Sequence, residues 1–378
     1  MAAGITLKGV ARLARKSQSP DYTLFLTVLT LLAIGIVMVF SSSAVEALRD
    51  YGDMYYFLKR QLAWAFIGIT AMVFLMNLDY WHIQRLAVPM LVVTLFLLVL
   101  VLVPGIGRAS HGATRWLGYG SLAFQPSETM KLAFVIFLAD YLARKQQQVA
   151  NLFKGLGPIL VLLGFTFILI LAQPDLGTAV AIAGTVYVML FVGGARLWHL
   201  LLLAVAAIPA MAVAIASEEY RLRRFLAFLN PFKDPLGSGY HIIQSLYALG
   251  SGGFFGLGLG QSRQKFLYLP ERHTDFIFAI LGEELGFIGA AMVVILFFLF
   301  AWRGYKTAIT APDTFSSLLA AGVTTMVALQ AFVNIGVVTA TLPVTGIPLP
   351  FLSFGGSSLV FTMMGVGALL NVSRYCRR

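Results

Sequence analysis

Sixteen carboxylates are spread over 378 residues, and one short stretch holds those best placed for acid–base chemistry. It reads His273-Thr274-Asp275, then six apolar residues, then Gly282, Glu283 and Glu284. Asp275 opens a strongly apolar run. A carboxylate there has two uses. It caps a helix N-terminus, where the macrodipole favours it, or it takes a proton from a hydroxyl at the edge of the run. Glu283 and Glu284 fall two turns further on, inside the apolar stretch. Carboxylates are costly there, so they serve function or pair with a base. At 100° per residue, Glu283 lies about 80° round the helix from Asp275 and Glu284 about 180°. Glu283 is therefore nearer the face of Asp275, yet about 12 Å along the axis. A double displacement needs two carboxylates about 5 Å apart. This spacing leaves Asp275 without a second carboxylate close beside it.

Cations gather in the same part of the chain. Arg263, Lys265 and Arg272 precede Asp275, and Arg221, Arg223 and Arg224 lie upstream. Such a set suits a phosphate or diphosphate headgroup, and it would also attract anionic lipid in general. Lys131 sits in the apolar QPSETMKLAF. It either pairs with Glu128 at i,i+3 or faces a cavity holding an anionic headgroup. Arg115 adds a guanidinium fork and Trp116 a flat interfacial ring. No His/Cys cluster has zinc spacing. The five histidines are scattered, and His273 is the one nearest Asp275 in the sequence. The metal is unknown: a divalent cation, Mg2+ or Mn2+, is the kind that would suit a phosphate or diphosphate group. GSGGFFGLGLG, residues 250–260, follows no strand and precedes no Lys-Ser/Thr, which excludes a P-loop. Its glycines suit a tight irregular chain near a ligand or the membrane surface.

These residues must be positioned by apolar elements. The chain is 59% hydrophobic and 11% charged, with mean hydropathy +0.85. Soluble domains run near 45–50% and 25%. The fold class expected is an all-α polytopic membrane protein. About ten runs approach the length of roughly 20 residues that a span needs. They lie near 22–43, 60–77, 84–103, 126–143, 157–173, 176–193, 197–217, 274–301, 314–338 and 353–373. Gln173-Pro174-Asp175 reads as a tight exposed turn between the fifth and sixth. In a soluble chain the net charge of +11 would suggest nucleic acid. Here fourteen Lys/Arg fall on one side of the short connections against five on the other. That asymmetry puts both termini in the cytoplasm, and no nucleic-acid partner is expected. Residues 1–21 form a basic cytoplasmic segment, 22–373 one membrane domain and 374–378 a basic tail. Residues 217–274 form a large extracytoplasmic loop between helices seven and eight, in which YHIIQSLYALG suits a short interfacial helix. Most carboxylates fall on this outer side, whereas a proton pump would scatter them through its helices. Pro343–Leu359 enters the last span with irregular backbone, which must be buried or line a wet cavity. Its Ser353, Ser357 and Ser358 read as small packing residues. Cys376 reads as an incidental thiol.

ATRWLGYGSLAFQPSETMKLA, AQPDLGTA, FLNPFKDPLGSGYHIIQSLYALGSGG, FLYLPERHTDFIFAILGEELGFIG and TGIPLPFLSFGGSSL occur in that order. Together they resemble the SEDS family of bacterial cell-wall proteins (FtsW, RodA, SpoVE), closest to the FtsW/SpoVE branch. The resemblance implies ten spans in the bacterial cytoplasmic membrane. It implies a peptidoglycan glycosyltransferase that polymerises lipid II, in division or sporulation, with a class B penicillin-binding protein as transpeptidase partner. Asp275 matches the family's essential carboxylate. Arg115, Trp116, Lys131, Glu128 and Glu283 match positions lining its outer cavity. On this reading Asp275 is the base for an acceptor hydroxyl, and the cations stabilise the departing undecaprenyl diphosphate. The alternatives are a lipid II flippase and a non-catalytic scaffold of the cell-wall machinery. A flippase would show paired interrupted helices in two halves, and no convincing pair is visible.

Overall fold

The computed structural model describes residues 18–110, 113–118, 123–266 and 268–376. Lys8, Arg12, Arg15, Lys16, Arg377 and Arg378, part of the expected cytoplasmic collar, lie outside the described residues. Every expected run is helical over most of its length. In chain order the elements are α1 (Tyr22–Tyr51), α2 (Tyr56–Asn77), α3 (Tyr80–Arg85), α4 (Ala87–Val101), α5 (Pro126–Arg144), α6 (Gly157–Leu171), α7 (Leu176–Val192), α8 (Leu197–Ala216), α9 (Glu219–Leu229), α10 (Tyr240–Gly252), α11 (Ile277–Thr310), α12 (Thr314–Val338) and α13 (Gly356–Ser373). A short antiparallel hairpin, β1 (Arg108–Ser110) and β2 (Ala113–Trp116), joins α4 to α5. Among the described residues seven helices are long and apolar enough to cross a membrane: α1, α2, α6 with the π-turn before it, α8, α11, α12 and α13. Helices α4 and α7 are apolar but shorter. Helix α5 carries Glu128, Lys131, Asp140 and Arg144. The molecule is a polytopic helical membrane protein.

Local chemistry sets the ends of these helices. Asp21 caps α1 by accepting from the Leu24 N–H at 3.1 Å, and Gly52 closes it in the left-handed region. Pro126 starts α5, Asp175 caps α7, and Asp313 with Ser316 forms a capping box on α12. Helix α12 is largely buried and packs on α11, α5, α7 and α13.

Charged contacts show which end is which. Asp21 pairs with Arg303 of α11, and its N–H donates to Ser373 Oγ at the end of α13. Gln18 N–H donates to Arg374 O at 2.8 Å. Both described chain ends therefore meet at one end of the bundle. Twenty residues further along α1, about 30 Å at 1.5 Å per residue, Ser41 meets Glu284 and Ser42 O meets Arg272. That rise matches the hydrocarbon core of a bilayer. The His273–Asp275 turn lies at this second end.

The connection 217–274 contains structure of its own. YHIIQSLYALG is helical as expected, within α10. Its Ile242, Ile243 and Ala248 are buried, however, and it packs chiefly on α11. Contact with the protein rather than the bilayer alone accounts for that apolar face. EYRLRRFLAFL forms a further amphipathic helix, α9. The turn at Gln173-Pro174-Asp175 is present but buried rather than exposed, with Gln173 Nε2 donating to Leu98 O.

The glycine run forms the tight irregular chain expected, with positive φ at Gly253, Gly256, Gly258 and Gly260, and it splices a broken helix. Helix α11 breaks at Gly286, where φ is +68°. The break strands backbone groups that cannot be left unpaired inside a membrane protein. Residues 253–258 fill the gap. Leu257 and Gly258 N–H donate to Glu283 O and Glu284 O, and Phe287 and Ile288 N–H donate to Gly253 O and Phe254 O. A Cβ on Gly286 would land on the backbone of Gly256 and Phe254. Gly286→Ala is expected to lose about 1–3 kcal/mol from positive φ alone, read as a lower melting temperature in detergent. An unchanged melting temperature would show that the splice yields.

Candidate active site

Helix α11 begins at Ile277, so Asp275 lies ahead of it in the preceding turn. Phe276 holds the N-cap position, and the side chain of Asp275 caps nothing. The capping role is therefore absent. Three consecutive carbonyls fix this turn instead. Phe354 N–H donates to His273 O at 2.8 Å, Ser353 Oγ to Thr274 O at 2.6 Å, and Asn334 Nδ2 to Asp275 O at 2.8 Å. The backbone is thus held on three sides while the half-buried carboxylate has no hydrogen-bond or ion-pair partner among the described residues. Gly346, at φ +76°, passes beside it, where a Cβ would come within 3.6 Å of Asp275 Oδ2.

The Asp275 carboxyl is pushed up to about 7, chiefly by burial and then by Glu271, with Asp175 adding to the rise and Arg224 and Arg115 opposing it. A carboxylate poised near neutrality suits a general base. Arg115 reaches this neighbourhood from β2. Its Nε donates to Gln173 O at 2.9 Å and its second fork nitrogen to Pro174 O. Trp116 is half-buried, opposite Arg108 in the hairpin. Asp175 accepts from Thr178 N–H and Gln125 Nε2, so α5, α7 and the hairpin converge here. The histidine of interest also changes. His273 packs on Phe57 at 4.6 Å with Nδ1 3.5 Å from Glu46, whereas His241 of α10 stacks on Phe276 at 5.7 Å. Burial and Arg224 lower the pKa of His241 while Glu271 raises it, and both charges act on Asp275 too.

Comparison with known proteins bears on this arrangement. A family model described as "Cell cycle protein" (FTSW_RODA_SPOVE) matches residues 22–378. The chain belongs to the FtsW/RodA/SpoVE family. It is 51% identical over 362 residues to Stage V sporulation protein E of Bacillus subtilis, covering 96% of this chain and 99% of that one. It is 46% identical to the probable peptidoglycan glycosyltransferase FtsW of Trichlorobacter lovleyi, over 93% of each chain. Among solved structures, one titled "Structural coordination of polymerization and crosslinking by a peptidoglycan synthase complex" superposes with a TM-score of 0.77 at 34% identity. It covers 94% of this chain and 98% of that one. Thermus thermophilus RodA superposes with a TM-score of 0.71 at 30% identity, over 95% and 98% of the two chains.

In this FtsW/RodA/SpoVE member the other expected site residues fall into distinct groups. Lys131 and Glu128 pair at 2.8 Å and are buried, and Lys131 Nζ also donates to Gln330 Oε1 at 2.9 Å. Glu283 accepts from Ser251 and Ser262 hydroxyls and from Arg263 and Gln264 N–H. Glu284 pairs with buried Lys265 at 3.3 Å and accepts from Ser41 Oγ at 2.7 Å. Arg272, also buried, pairs with Glu46 at 2.7 Å and donates to Ser42 O. The side chain of Arg263 is exposed. Lys265 and Arg272 thus have carboxylate partners of their own, and the cations bearing on Asp275 are Arg224 and Arg115. Ser353 fixes the turn, and Ser357 accepts from Gln125 N–H, so these serines act by hydrogen bonding more than by small size.

Sequence reasoning did not single out Gln330, Asn334, Glu271 or His241. Gln330 and Asn334 had a readable signal: two amides one turn apart in a span of mean hydropathy 1.8. Among the described residues no group of three or more His, Cys, Asp or Glu side chains is gathered to hold a metal ion.

Proposed function

We propose that this chain is a peptidoglycan glycosyltransferase of the cytoplasmic membrane that polymerises lipid II at the outer leaflet. Asp275 acts as the base for the acceptor hydroxyl in a single displacement that inverts the donor sugar. Undecaprenyl diphosphate leaves. The observation that carries this reading is a half-buried carboxylate, unpartnered among the described residues, on a turn whose three backbone carbonyls each accept a hydrogen bond. The names of the FtsW relatives support the reaction class. The Lys/Arg asymmetry supports cytoplasmic termini, and the distance along α1 from Asp21 to Ser41 supports the opposite face for Asp275. Arg115 and Arg224 supply positive potential for the leaving diphosphate. Glu128 and Lys131 hold the wall behind the site. Glu283, Lys265 and Arg272 brace the 217–274 connection, which lies outside the membrane. A class B penicillin-binding protein is the partner that crosslinks the product, in keeping with a relative solved in a polymerising and crosslinking complex.

The test reconstitutes the protein, with and without such a partner, in vesicles carrying labelled lipid II. Polymer is scored on gels and leaflet crossing by a quencher. Polymer without crossing is the expected result. Crossing without polymer would replace the enzyme with a transporter, and neither would leave a scaffold.

A further inference from the structure

Helix α12 contributes two buried amides to the core. Gln330 and Asn334 are one turn apart, with relative exposures of 2% and 1%. Their donors all go to backbone carbonyls of neighbouring segments. Asn334 Nδ2 donates to Asp275 O and to Ile347 O, both at 2.8 Å. Gln330 Nε2 donates to Pro348 O at 2.9 Å. Gln330 Oε1 accepts from Lys131 Nζ, which Glu128 holds by an ion pair. Both carbonyls of Ile347 and Pro348 belong to the segment that carries Gly346 past the Asp275 carboxylate. One amide therefore ties the backbone of Asp275 to the segment facing its side chain. The second amide ties that segment to α5 through Lys131.

We infer that Asn334 is a positioning residue for Asp275. With Gln330 it forms an amide ladder that transmits the placement of the Glu128–Lys131 pair to the reacting carboxylate. The inference rests on the proposed role of Asp275. An amide suits this position because a single nitrogen satisfies two carbonyls and carries no charge. Aspartate has the same shape but presents only acceptors when ionised, so it faces both carbonyls with a like partial charge. The Lys131–Glu128 pair in turn fixes which end of the Gln330 amide faces α5. An ammonium requires the oxygen, and this leaves the nitrogen for Pro348. Misplacement of a reacting group by about 1 Å costs on the order of 100-fold in rate. Substrate contacts made by other residues are unaffected, so the loss falls on kcat.

The experiment measures initial rates of lipid II polymerisation by full-length protein with its transpeptidase partner. Asn334→Ala, Asn334→Asp, Gln330→Glu and Asp275→Asn are prepared in parallel. Asn334→Asp is expected to lower kcat about 100-fold, with KM within about threefold, in a protein still folded at the assay temperature but with a lowered melting temperature in detergent, because two buried carbonyls lose their donor. Asn334→Ala should behave alike, and Gln330→Glu should lose less, because Asn334 still holds Asp275 O. A rise in KM at unchanged kcat, or wild-type rates in both Asn334 variants, overturns the inference. A collapse of the melting temperature in both Asn334 variants also overturns it, since Asn334 would then be a brace for the fold. Asp275→Asn separates the two claims. If it polymerises normally, the proposed role of Asp275 fails. If it is inactive while the Asn334 variants are normal, only the positioning role fails.

Discussion

Asp275→Asn is expected to stop glycan polymerisation while leaving the protein folded and able to bind lipid II. A general base contributes about 10²- to 10⁴-fold to a rate, and asparagine cannot take the proton. The fold should survive because the lost charge has no partner among the described residues and the new side chain has nearly the same volume. The three hydrogen bonds that hold the turn end on backbone carbonyls, which the substitution leaves in place. The raised pKa makes a second forecast for the wild type. The base works only when ionised, and its carboxyl is pushed up to about 7, chiefly by burial. Polymerisation should therefore fall by about tenfold per pH unit below that value and level off above it. An exposed aspartate would hold the plateau down to about pH 4. Initial rates at saturating lipid II, from about pH 5.5 to about pH 8.5, check this. A flat profile, or near-normal polymer from Asp275→Asn, would remove the carboxylate from the chemistry.

Much of the fold was legible because apolar runs in a membrane protein must become helices that satisfy their own backbone. Each of the runs expected from length and composition is helical over most of its length. The places where boundaries moved have physical causes. Helix α11 starts at Ile277 rather than 274 because the carbonyls of His273, Thr274 and Asp275 are claimed by distant donors. The third run is divided into α3 and α4 at Leu86. The break at Gly286 could not be read, since its stranded groups find partners about thirty residues earlier. That pairing gives the glycines of residues 253–258 a role in closing the break.

The candidate site was legible in its carboxylate and less so in its surroundings. Asp275 was marked by its place at the head of an apolar run, where capping was an equal reading, and by the family resemblance. The sequence offered Lys265, Arg272 and His273 by proximity and Arg115 and Arg224 from further upstream; the first three have contacts of their own: Glu284, Glu46, and Phe57 with Glu46. Arg115 comes from a hairpin far upstream and Arg224 from α9. Tertiary folding, not sequence distance, decides which cations reach the carboxylate. The Glu128–Lys131 pair shows the opposite case. Spacing of i,i+3 predicted a helix-surface pair, and the pair is present, but buried and tied to α12.

Glu284→Ala is expected to be the most destabilising single change in the 252–284 region. Glu284 is fully buried and Lys265 nearly so. Removing one member of a buried ion pair leaves an uncompensated charge and costs about 3–5 kcal/mol. Ser41 and the Ser262 N–H lose their acceptor as well. Replacing both members with apolar groups should restore most of the loss, because the desolvation cost of the pair disappears with it. Glu284→Ala combined with Lys265→Met is thus expected to melt well above Glu284→Ala alone. The double variant also decides what Lys265 is for. If its ammonium only braces residues 260–265 against α11, the refolded double variant should polymerise lipid II at a rate near wild type. If Lys265 held the diphosphate, restored stability would come with lost polymerisation and a raised KM. Melting curves in detergent and initial rates on the same preparations separate the two. A double variant no more stable than Glu284→Ala would mean that the pair is not what secures this segment.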